Sequence, residues 1–234
     1  MVNRTFNFID GEILLVDKPL GWTSFDVVNK IRSTIKQTLD IKKIKVGHAG
    51  TLDPLATGLL IICTGKFTKK IDSFQGQDKI YVGSMYLGAT TPSFDKETEV
   101  NQTFNTASIT KQQLTKTVVP FIGKIEQTPP IYSAVKVDGK RAFNYARKDK
   151  EVKLKSRQVT IHQFDLLNFD LPEIDFLVNC SKGTYIRALV NDFGAALNNG
   201  AYMSSLRRTA IGEYSVNNAY SVDEITEAIF AQYK

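Results

Sequence analysis

The sequence is poor in cysteine and in long apolar runs, and each shortage excludes a class of protein. Two cysteines, Cys63 and Cys180, cannot build a disulfide scaffold, which favours a cytosolic protein. The longest strongly apolar run, Leu59 to Cys63, is much shorter than the about 20 residues that a membrane-spanning helix needs. Residues 1–18 contain no apolar segment followed by a small-residue cleavage site, so no secretory signal is predicted. We therefore expect a cytoplasmic protein with no membrane association.

Several common catalytic motifs are also absent. Gly65-Lys66 is followed by Phe67 where a phosphate-binding loop needs Ser or Thr, and no dinucleotide-binding fingerprint or nucleophile elbow is found. The two histidines, His48 and His162, and the two cysteines show no paired metal-ligand spacing. Because the cysteines lie in strand-like runs, we expect them to be buried small hydrophobes.

The composition is that of a globular protein with a basic excess. Apolar residues make up 42% and charged residues 23% of the 234 residues, which supports a hydrophobic core and excludes wholesale disorder. Lys and Arg number 30 against 24 Asp and Glu, and this net charge of +6 favours a polyanionic partner.

Hydrophobic periodicity and capping residues predict four helices. Thr23 and Ser24 can cap a first helix, and residues 110–121 fit a second. A third helix begins near Ile186 and ends at Asn198-Asn199-Gly200. A fourth begins at Ser221, where Glu224 completes a capping box. The polar and basic segment between the first two, residues 36–45, is predicted to be a surface loop.

Alternating apolar residues predict the strands. Ile174, Phe176, Val178 and Cys180 occupy every second position, and residues 80–85 also alternate, whereas Leu59 to Cys63 is continuously apolar and fits a strand buried on both faces. Asp138-Gly139 is a turn signal. Since strands and helices alternate without a regular βαβ rhythm, the predicted class is α+β, with a mixed, largely antiparallel sheet flanked by helices.

The most informative segment is Gly47–Gly58, which contains three glycines, a proline, His48 and Asp53 just before the buried strand. By composition alone it is an ordinary connecting loop, with Asp53 as a turn residue before Pro54.

The segment resembles the catalytic loop of the TruB family, the tRNA pseudouridine-55 synthases, whose signature is G-H-x-G-T-L-D-P-x-A-x-G. Other segments resemble further family motifs in the same order, namely Asp17–Ser24, Lys79–Tyr81 with Leu87-Gly88, Thr90-Thr91 and Asp95, Gln127–Lys136 with Gly139 and Arg141, Ser181–Arg187, and Leu206–Thr209. The resemblance extends from Asp17 to about Gly212.

The resemblance implies a pseudouridine-synthase fold that forms a single catalytic domain over residues 1–234, with a basic thumb-like insertion at about 136–157. It implies conversion of uridine to pseudouridine in the T loop of tRNA, through base flipping and without a metal or other cofactor. The partner is then the T-arm stem-loop of tRNA, and no obligatory protein partner is implied. The usual bacterial family member carries a further RNA-binding domain of the PUA type, for which we expect no counterpart here.

The resemblance also assigns roles to individual residues. Asp53 would act at the glycosidic bond, Arg187 would keep it ionised, and Tyr81 would stack on the flipped uracil. Tyr185 and Leu206 would line the pocket, His48 would contact neighbouring nucleotides, and Lys69 would contact phosphate or the active-site loop. Lys18 is expected to be structural. The expected contacts to the RNA backbone are Lys136, Arg141, Arg147, Lys148, Lys150 and Lys153 in the thumb, and the pair Arg207 and Arg208.

Two alternatives remain open at this point. One is a catalytically silent RNA-binding or RNA-folding protein with the same fold, which the intact Asp53, Tyr81 and Arg187 disfavour. The other is a base-excising glycosylase, which would share base flipping but would release free uracil.

Overall fold

The computed structural model describes residues 5–148, 150 and 152–233. The helices are α1 (Ser24–Thr38), α2 (Ile71–Gly76), α3 (Lys111–Val118), α4 (Ala142–Ala146), α5 (Ile186–Ala196) and α6 (Val222–Gln232). The strands are β1 (Ile13–Lys18), β2 (Val46–His48), β3 (Ala56–Thr64), β4 (Lys79–Leu87), β5 (Ala89–Thr90), β6 (Gln102–Thr103), β7 (Gly123–Gln127), β8 (Lys136–Val137), β9 (Lys140–Arg141), β10 (Arg157–Leu166), β11 (Glu173–Cys180), β12 (Ala201–Ile211), β13 (Tyr214–Ser215) and β14 (Tyr220–Ser221). No helix among the described residues has both the length and the apolar character needed to cross a bilayer.

The chain divides into two compact units. The first comprises the described parts of Met1–Tyr81 and Arg207–Lys234, and the second comprises Val82–Leu206. The strand order is β14-β1-β3-β12 in the first unit and β12-β4-β11-β10-β7 in the second. β12 is named twice because β4 and β12 each have residues in both units. The registered pairs of β1–β3, β2–β3, β10–β11 and β7–β10 are antiparallel, whereas β1 and β14 are parallel. The predicted α+β class with a mixed, largely antiparallel sheet is confirmed.

In the first unit, β3 is buried on both faces, as its continuous apolar run predicts. Leu60 and Ile62 pack in one core with α1 and α6, whereas Leu59, Ile61 and Cys63 pack in another with Phe74 and Ile211. The Cys63 side chain has no solvent exposure, so its expected role as a small core hydrophobe is confirmed.

The boundaries of α1 show one local prediction that holds and one that fails. Thr23 is the N-cap, and its hydroxyl and the Asp26 carboxylate form a reciprocal capping box. The helix continues to Thr38, so the first three residues of the predicted loop 36–45 are helical. Their polar character reflects the exposed end of an amphipathic helix rather than a break in it.

The other predicted helices are confirmed with small changes at their ends. Thr110 caps α3, and the predicted continuation to Phe121 is a turn of 3₁₀ helix that contains Pro120. Leu197 is the residue after α5, and Ser221 caps α6 through a capping box with Glu224.

In the second unit, β11 buries Ile174, Phe176, Val178 and Cys180 as predicted. The thumb-like segment contains a small hairpin, β8–β9, whose turn residues Asp138 and Gly139 have φ values of 49° and 78°. These positive values explain why the Asp-Gly pair predicts this turn. Helix α4 follows the hairpin and buries Ala142 and Ala146.

Candidate active site

The loop that carries Asp53 connects two strands of the first unit. β2 and β3 pair antiparallel, with His48 opposite Ile62, and the Ala49 N–H donates to the Ile61 carbonyl at 2.9 Å. Asp53 is half-buried, and its carbonyl accepts the Ala56 N–H at 3.0 Å, which turns the chain into β3.

Both residues adjacent to Asp53 are held by hydrogen bonds from β1, α1 and the segment between them. The Ser24 hydroxyl accepts the Leu52 N–H at 2.8 Å and donates to the Leu52 carbonyl at 3.1 Å. The Pro54 carbonyl accepts the Gly21 N–H at 2.8 Å and the Lys18 ammonium at 3.4 Å. The backbone on either side of Asp53 is therefore fixed.

Lys18 has the structural role expected of it. Its side chain is fully buried, and Nζ also donates to the carbonyls of Pro19 at 2.9 Å and Trp22 at 2.6 Å. Burial lowers the pKa of Lys18 to about 8, and the charge of nearby Asp53 opposes this shift.

Arg208 is a second structural cation and not a surface residue. It is 1% exposed, and its Nε and Nη2 donate to the carbonyls of Leu59 at 2.7 Å and Gly50 at 3.1 Å. The expected contact of Arg208 with RNA phosphates stays a prediction, and the burial and existing hydrogen bonds of this side chain weigh against it. Arg208 joins the two ends of the Asp53 loop to β12.

Backbone geometry requires a glycine at position 58, the end of this loop. Gly58 has a φ of +102°, and a Cβ atom there would overlap the backbone of Arg208. Only glycine permits both this conformation and this close approach of β3 to β12.

Arg207, the other member of the pair, is accessible but already has an anionic partner. Its guanidinium binds both carboxylate oxygens of Asp17, at 3.0 and 2.6 Å, and the two side chains are 39% and 33% exposed. A phosphate would have to compete with Asp17, and the RNA contact stays a prediction.

His48 lies on β2 and is half-buried. Burial lowers its pKa and the charge of Arg208 lowers it further, while a hydrogen bond with the Gly50 backbone acts in the opposite direction. The imidazole is therefore neutral near pH 7, which suits stacking and hydrogen bonding to nucleotides better than pairing with phosphate.

Tyr81 and Leu206 are strand residues that are each 8% exposed, Tyr81 on β4 in the first unit and Leu206 on β12 in the second. Lys69 is exposed on the 3₁₀ turn Gly65–Lys70 that follows β3. Their substrate contacts stay predictions.

Arg187, at the start of α5, is buried and lies beside the carboxylate of Asp95, a motif residue to which the sequence assigned no role. Its Nη1 is 3.3 Å from the Asp95 carboxylate and donates to the Ser93 carbonyl at 3.0 Å, while Nη2 donates to the Tyr132 carbonyl at 2.9 Å. Both side chains are less than 5% exposed. The expected interaction of Arg187 with Asp53 stays a prediction.

Tyr185 precedes α5 and is fixed by its backbone and its ring. Its N–H donates to the Gln127 side chain at 2.8 Å, and its carbonyl accepts from the same amide at 3.0 Å. The Arg157 guanidinium lies 4.7 Å from the centroid of the tyrosine ring and also donates to the Gly183 carbonyl. Arg157, which ends the predicted thumb, is thus the first residue of β10 and supports Tyr185.

The predicted thumb cations are all exposed, and they are Lys136, Arg141, Arg147, Lys148, Lys150 and Lys153. Arg147 lies 5.3 Å from the centroid of the Phe143 ring, and its guanidinium is 3.7 Å from the Glu97 carboxylate. Residues 149 and 151 of the thumb lie outside the described part of the chain. No group of three or more His, Cys, Asp or Glu side chains in the described ranges is placed to hold a metal ion.

Comparison with known proteins identifies the family. A sequence model described as TruB family pseudouridylate synthase (N terminal domain) matches residues 36–186, and one described as tRNA pseudouridylate synthase B C-terminal domain matches residues 187–234. The tRNA pseudouridine synthase B of Flavobacterium johnsoniae is 53% identical over 95% of this chain and 97% of its own length. That of Phocaeicola vulgatus is 55% identical over 94% of each chain.

Two solved structures have a similar fold. A chain in the crystal structure of a Cbf5-Nop10-Gar1 complex is 25% identical with a TM-score of 0.69, and the match covers 97% of this chain but 60% of that one. A chain in the crystal structure of the archaeal box H/ACA sRNP Nop10-Cbf5 complex is 24% identical with a TM-score of 0.66. The match covers 95% of this chain and 54% of that one, and it shows similarity of the fold alone. From the family models and the two synthase B relatives together, the chain belongs to the TruB family of pseudouridylate synthases.

Proposed function

We propose that this protein converts uridine to pseudouridine in tRNA, and that its target is the uridine at position 55 in the T loop. The observation that carries the proposal is the Gly47–Gly58 loop, which presents the family's aspartate, Asp53, between two residues held through their backbone. The names of the synthase B relatives support tRNA as the substrate.

The reaction is an isomerisation in which no atom is gained or lost overall. The bond between N1 of uracil and the ribose carbon breaks, the base turns, and its C5 bonds to the same carbon, while a proton lost from C5 is matched by one gained at N1. The target nucleotide must leave its stack, because neither the sugar carbon nor the base edge is accessible within a folded RNA loop. The Asp53 carboxylate would add to the ribose carbon or stabilise its developing positive charge.

The acid content of the loop is consistent with an isomerase rather than a glycoside hydrolase. Enzymes that hydrolyse glycosidic bonds pair one carboxylate with a second that delivers water or a proton. Asp53 is the one acidic residue between Gly47 and Gly58. In our proposal water is excluded, Tyr81 stacks on the detached uracil, and the positive charge of Arg187 keeps the Asp53 carboxylate ionised.

RNA affinity is proposed to come mainly from the exposed thumb cations. Each phosphate contact releases counterions, so binding that depends on these contacts weakens steeply with salt. If Lys148, Lys150 and Lys153 contact three phosphates, their joint replacement by Ala should reduce the slope of log affinity against log salt by roughly two to three units. Joint replacement of Lys111, Lys116 and Lys124 on α3 and β7, which are exposed but outside the thumb, is the matched control.

The deciding experiment incubates the protein with uridine-containing tRNA and with T-arm and anticodon-arm hairpins, then maps pseudouridine and measures free uracil. We expect pseudouridine at position 55 in the tRNA and the T-arm hairpin, and no uracil release. Asp53→Asn should abolish turnover while RNA affinity changes by less than about tenfold, because phosphate contacts supply most of the affinity. Asp72→Asn, on the exposed start of α2, is the control carboxylate variant. Release of uracil would favour the glycosylase, and binding without either product would favour the silent RNA-binding protein.

A further inference from the structure

Ser24 makes a two-point contact with the residue that precedes Asp53. One hydroxyl oxygen accepts the Leu52 N–H at 2.8 Å and donates to the Leu52 carbonyl at 3.1 Å. Ser24 is 2% exposed and Leu52 is 4% exposed, so both backbone groups depend on this hydroxyl in a place where water has little access. A buried backbone group left without a partner is destabilising, and the loop would have to move to recover one.

The start of α1 does not need this hydroxyl. The preceding residue, Thr23, is the N-cap, and its hydroxyl accepts the Asp26 N–H at 3.0 Å. The Asp26 carboxylate returns the contact by accepting the Thr23 N–H at 2.8 Å, which completes the capping box. The Ser24 side chain is thus free to serve the loop rather than the helix.

The loop has glycines on both sides of this contact. Gly50 and Gly58 have φ values of +107° and +102°, so the chain between them depends on cross-links to fix it. The Lys18 and Gly21 bonds hold Pro54, on the far side of Asp53, while Ser24 holds the near side.

We infer that Ser24 is a positioning residue for the reaction, whose hydroxyl fixes Leu52 and thereby the direction in which the Asp53 carboxylate points. The inference rests on the proposed function, because it assigns Ser24 a role through Asp53. Ser24 supports the reacting group without touching the substrate. A displacement of about 1 Å at a reacting group can cost on the order of a hundredfold in rate. Loss of the Ser24 hydroxyl should therefore slow the chemical step and leave RNA binding, which depends on phosphate contacts, nearly unchanged.

The test compares three variants by single-turnover pseudouridine formation at saturating enzyme and by RNA binding. Ser24→Ala should slow the reaction by about 10- to 100-fold with a Kd for T-arm RNA within about threefold of wild type. Ser24→Thr keeps the hydroxyl and should restore the rate to within about threefold. Thr34→Val removes another buried hydroxyl of α1, which bonds to the Lys30 carbonyl of the same helix at 3.0 Å, and should leave both values unchanged.

The outcomes separate this inference from the proposed function. A wild-type protein that makes no pseudouridine defeats the proposed function, whereas an active wild type with a Ser24→Ala rate within threefold defeats the role of Ser24 alone. Equal losses in Ser24→Ala and Thr34→Val would also overturn the inference, since they would reflect stability and not position. If circular dichroism shows that Ser24→Ala is unfolded at the assay temperature, Ser24→Cys takes its place and is judged by the same thresholds, because a thiol is a weak donor and acceptor.

Discussion

Replacement of Asp95 by Asn should destabilise the protein far more than the same replacement of Asp17. Both aspartates pair with an arginine, Asp95 with Arg187 and Asp17 with Arg207. The two pairs differ in opposite ways: the Asp17 pair is shorter, at 2.6 Å against 3.3 Å, but its side chains are more than 30% exposed, whereas those of the Asp95 pair are less than 5% exposed. The comparison therefore tests whether burial or distance sets the energy.

Burial should decide the outcome. Removing one partner of a buried pair takes compensating charge away from the other in a poorly hydrated place, which costs about 3–5 kcal/mol. An exposed pair is screened by water and contributes about 0–1 kcal/mol. In a chain of this size about 1 kcal/mol lowers the Tm by roughly 2–4 °C, so we expect a loss of roughly 6–20 °C for Asp95→Asn and less than about 4 °C for Asp17→Asn.

The assay is urea and thermal denaturation followed by far-ultraviolet circular dichroism, which reports on both units. The single tryptophan, Trp22, lies in the first unit, so its fluorescence provides a separate signal for the unit that contains Asp17. A free energy of unfolding for Asp95→Asn within about 1 kcal/mol of wild type would refute the reasoning. So would a larger loss for Asp17→Asn, since distance would then outweigh burial.

Three other predictions concern the Asp53 loop and its supports. Arg208→Met removes two hydrogen bonds from a charged donor to buried carbonyls, so urea denaturation should show a free energy of unfolding lower by about 3 kcal/mol. The control Arg207→Met should lower it by about 1 kcal/mol or less. Equal losses would contradict the structural role of Arg208. Gly58→Ala should lower the Tm much more than Gly139→Ala, although both glycines have positive φ. The reason is that a Cβ atom at position 58 overlaps the backbone of Arg208, whereas a Cβ atom at position 139 meets no neighbouring atom. Similar melting temperatures for the two variants would disprove the overlap. Burial lowers the pKa of His48, so the unfolded chain binds a proton more readily and the folded protein loses stability as the pH falls below about 6.5. His48→Gln should flatten this pH dependence in denaturation curves measured between about pH 7 and 5. An unchanged slope would show that other groups cause the pH dependence.

The parts of the fold that the sequence predicts are those with local causes. The N-cap of α1 and the capping box of α6 depend on residues within three positions of each other, and the alternation that marks β11 is complete within eight residues. The hairpin at Asp138-Gly139 depends on two residues that tolerate positive φ. The extended end of α1 is the exception, because polar residues on an exposed helical turn have the same composition as a loop.

The parts that escape prediction depend on partners far away in the chain. Arginine is normally a surface residue, and the burial of Arg208 follows from carbonyls supplied by Gly50 and Leu59. Asp95 lies within a motif of the family, yet its pairing with Arg187 joins elements more than ninety residues apart. The short strands β5, β6, β13 and β14 span two residues each, too few for any periodicity to mark them.

The division of the first unit into two chain segments has a consequence for synthesis on the ribosome. β1 pairs with β14, Val16 opposite Tyr220, and the apolar face of α1 packs against α6. Residues 82–206 lie between the two segments and take roughly 6–25 seconds to synthesise at about 5–20 residues per second. During that interval one edge of β1 is open, α1 has an uncovered apolar face, and the Asp53 loop lacks Arg208. The loop that carries the candidate nucleophile therefore receives its last support from one of the final strands to be made, and a nascent chain cannot hold this loop in its finished form until then.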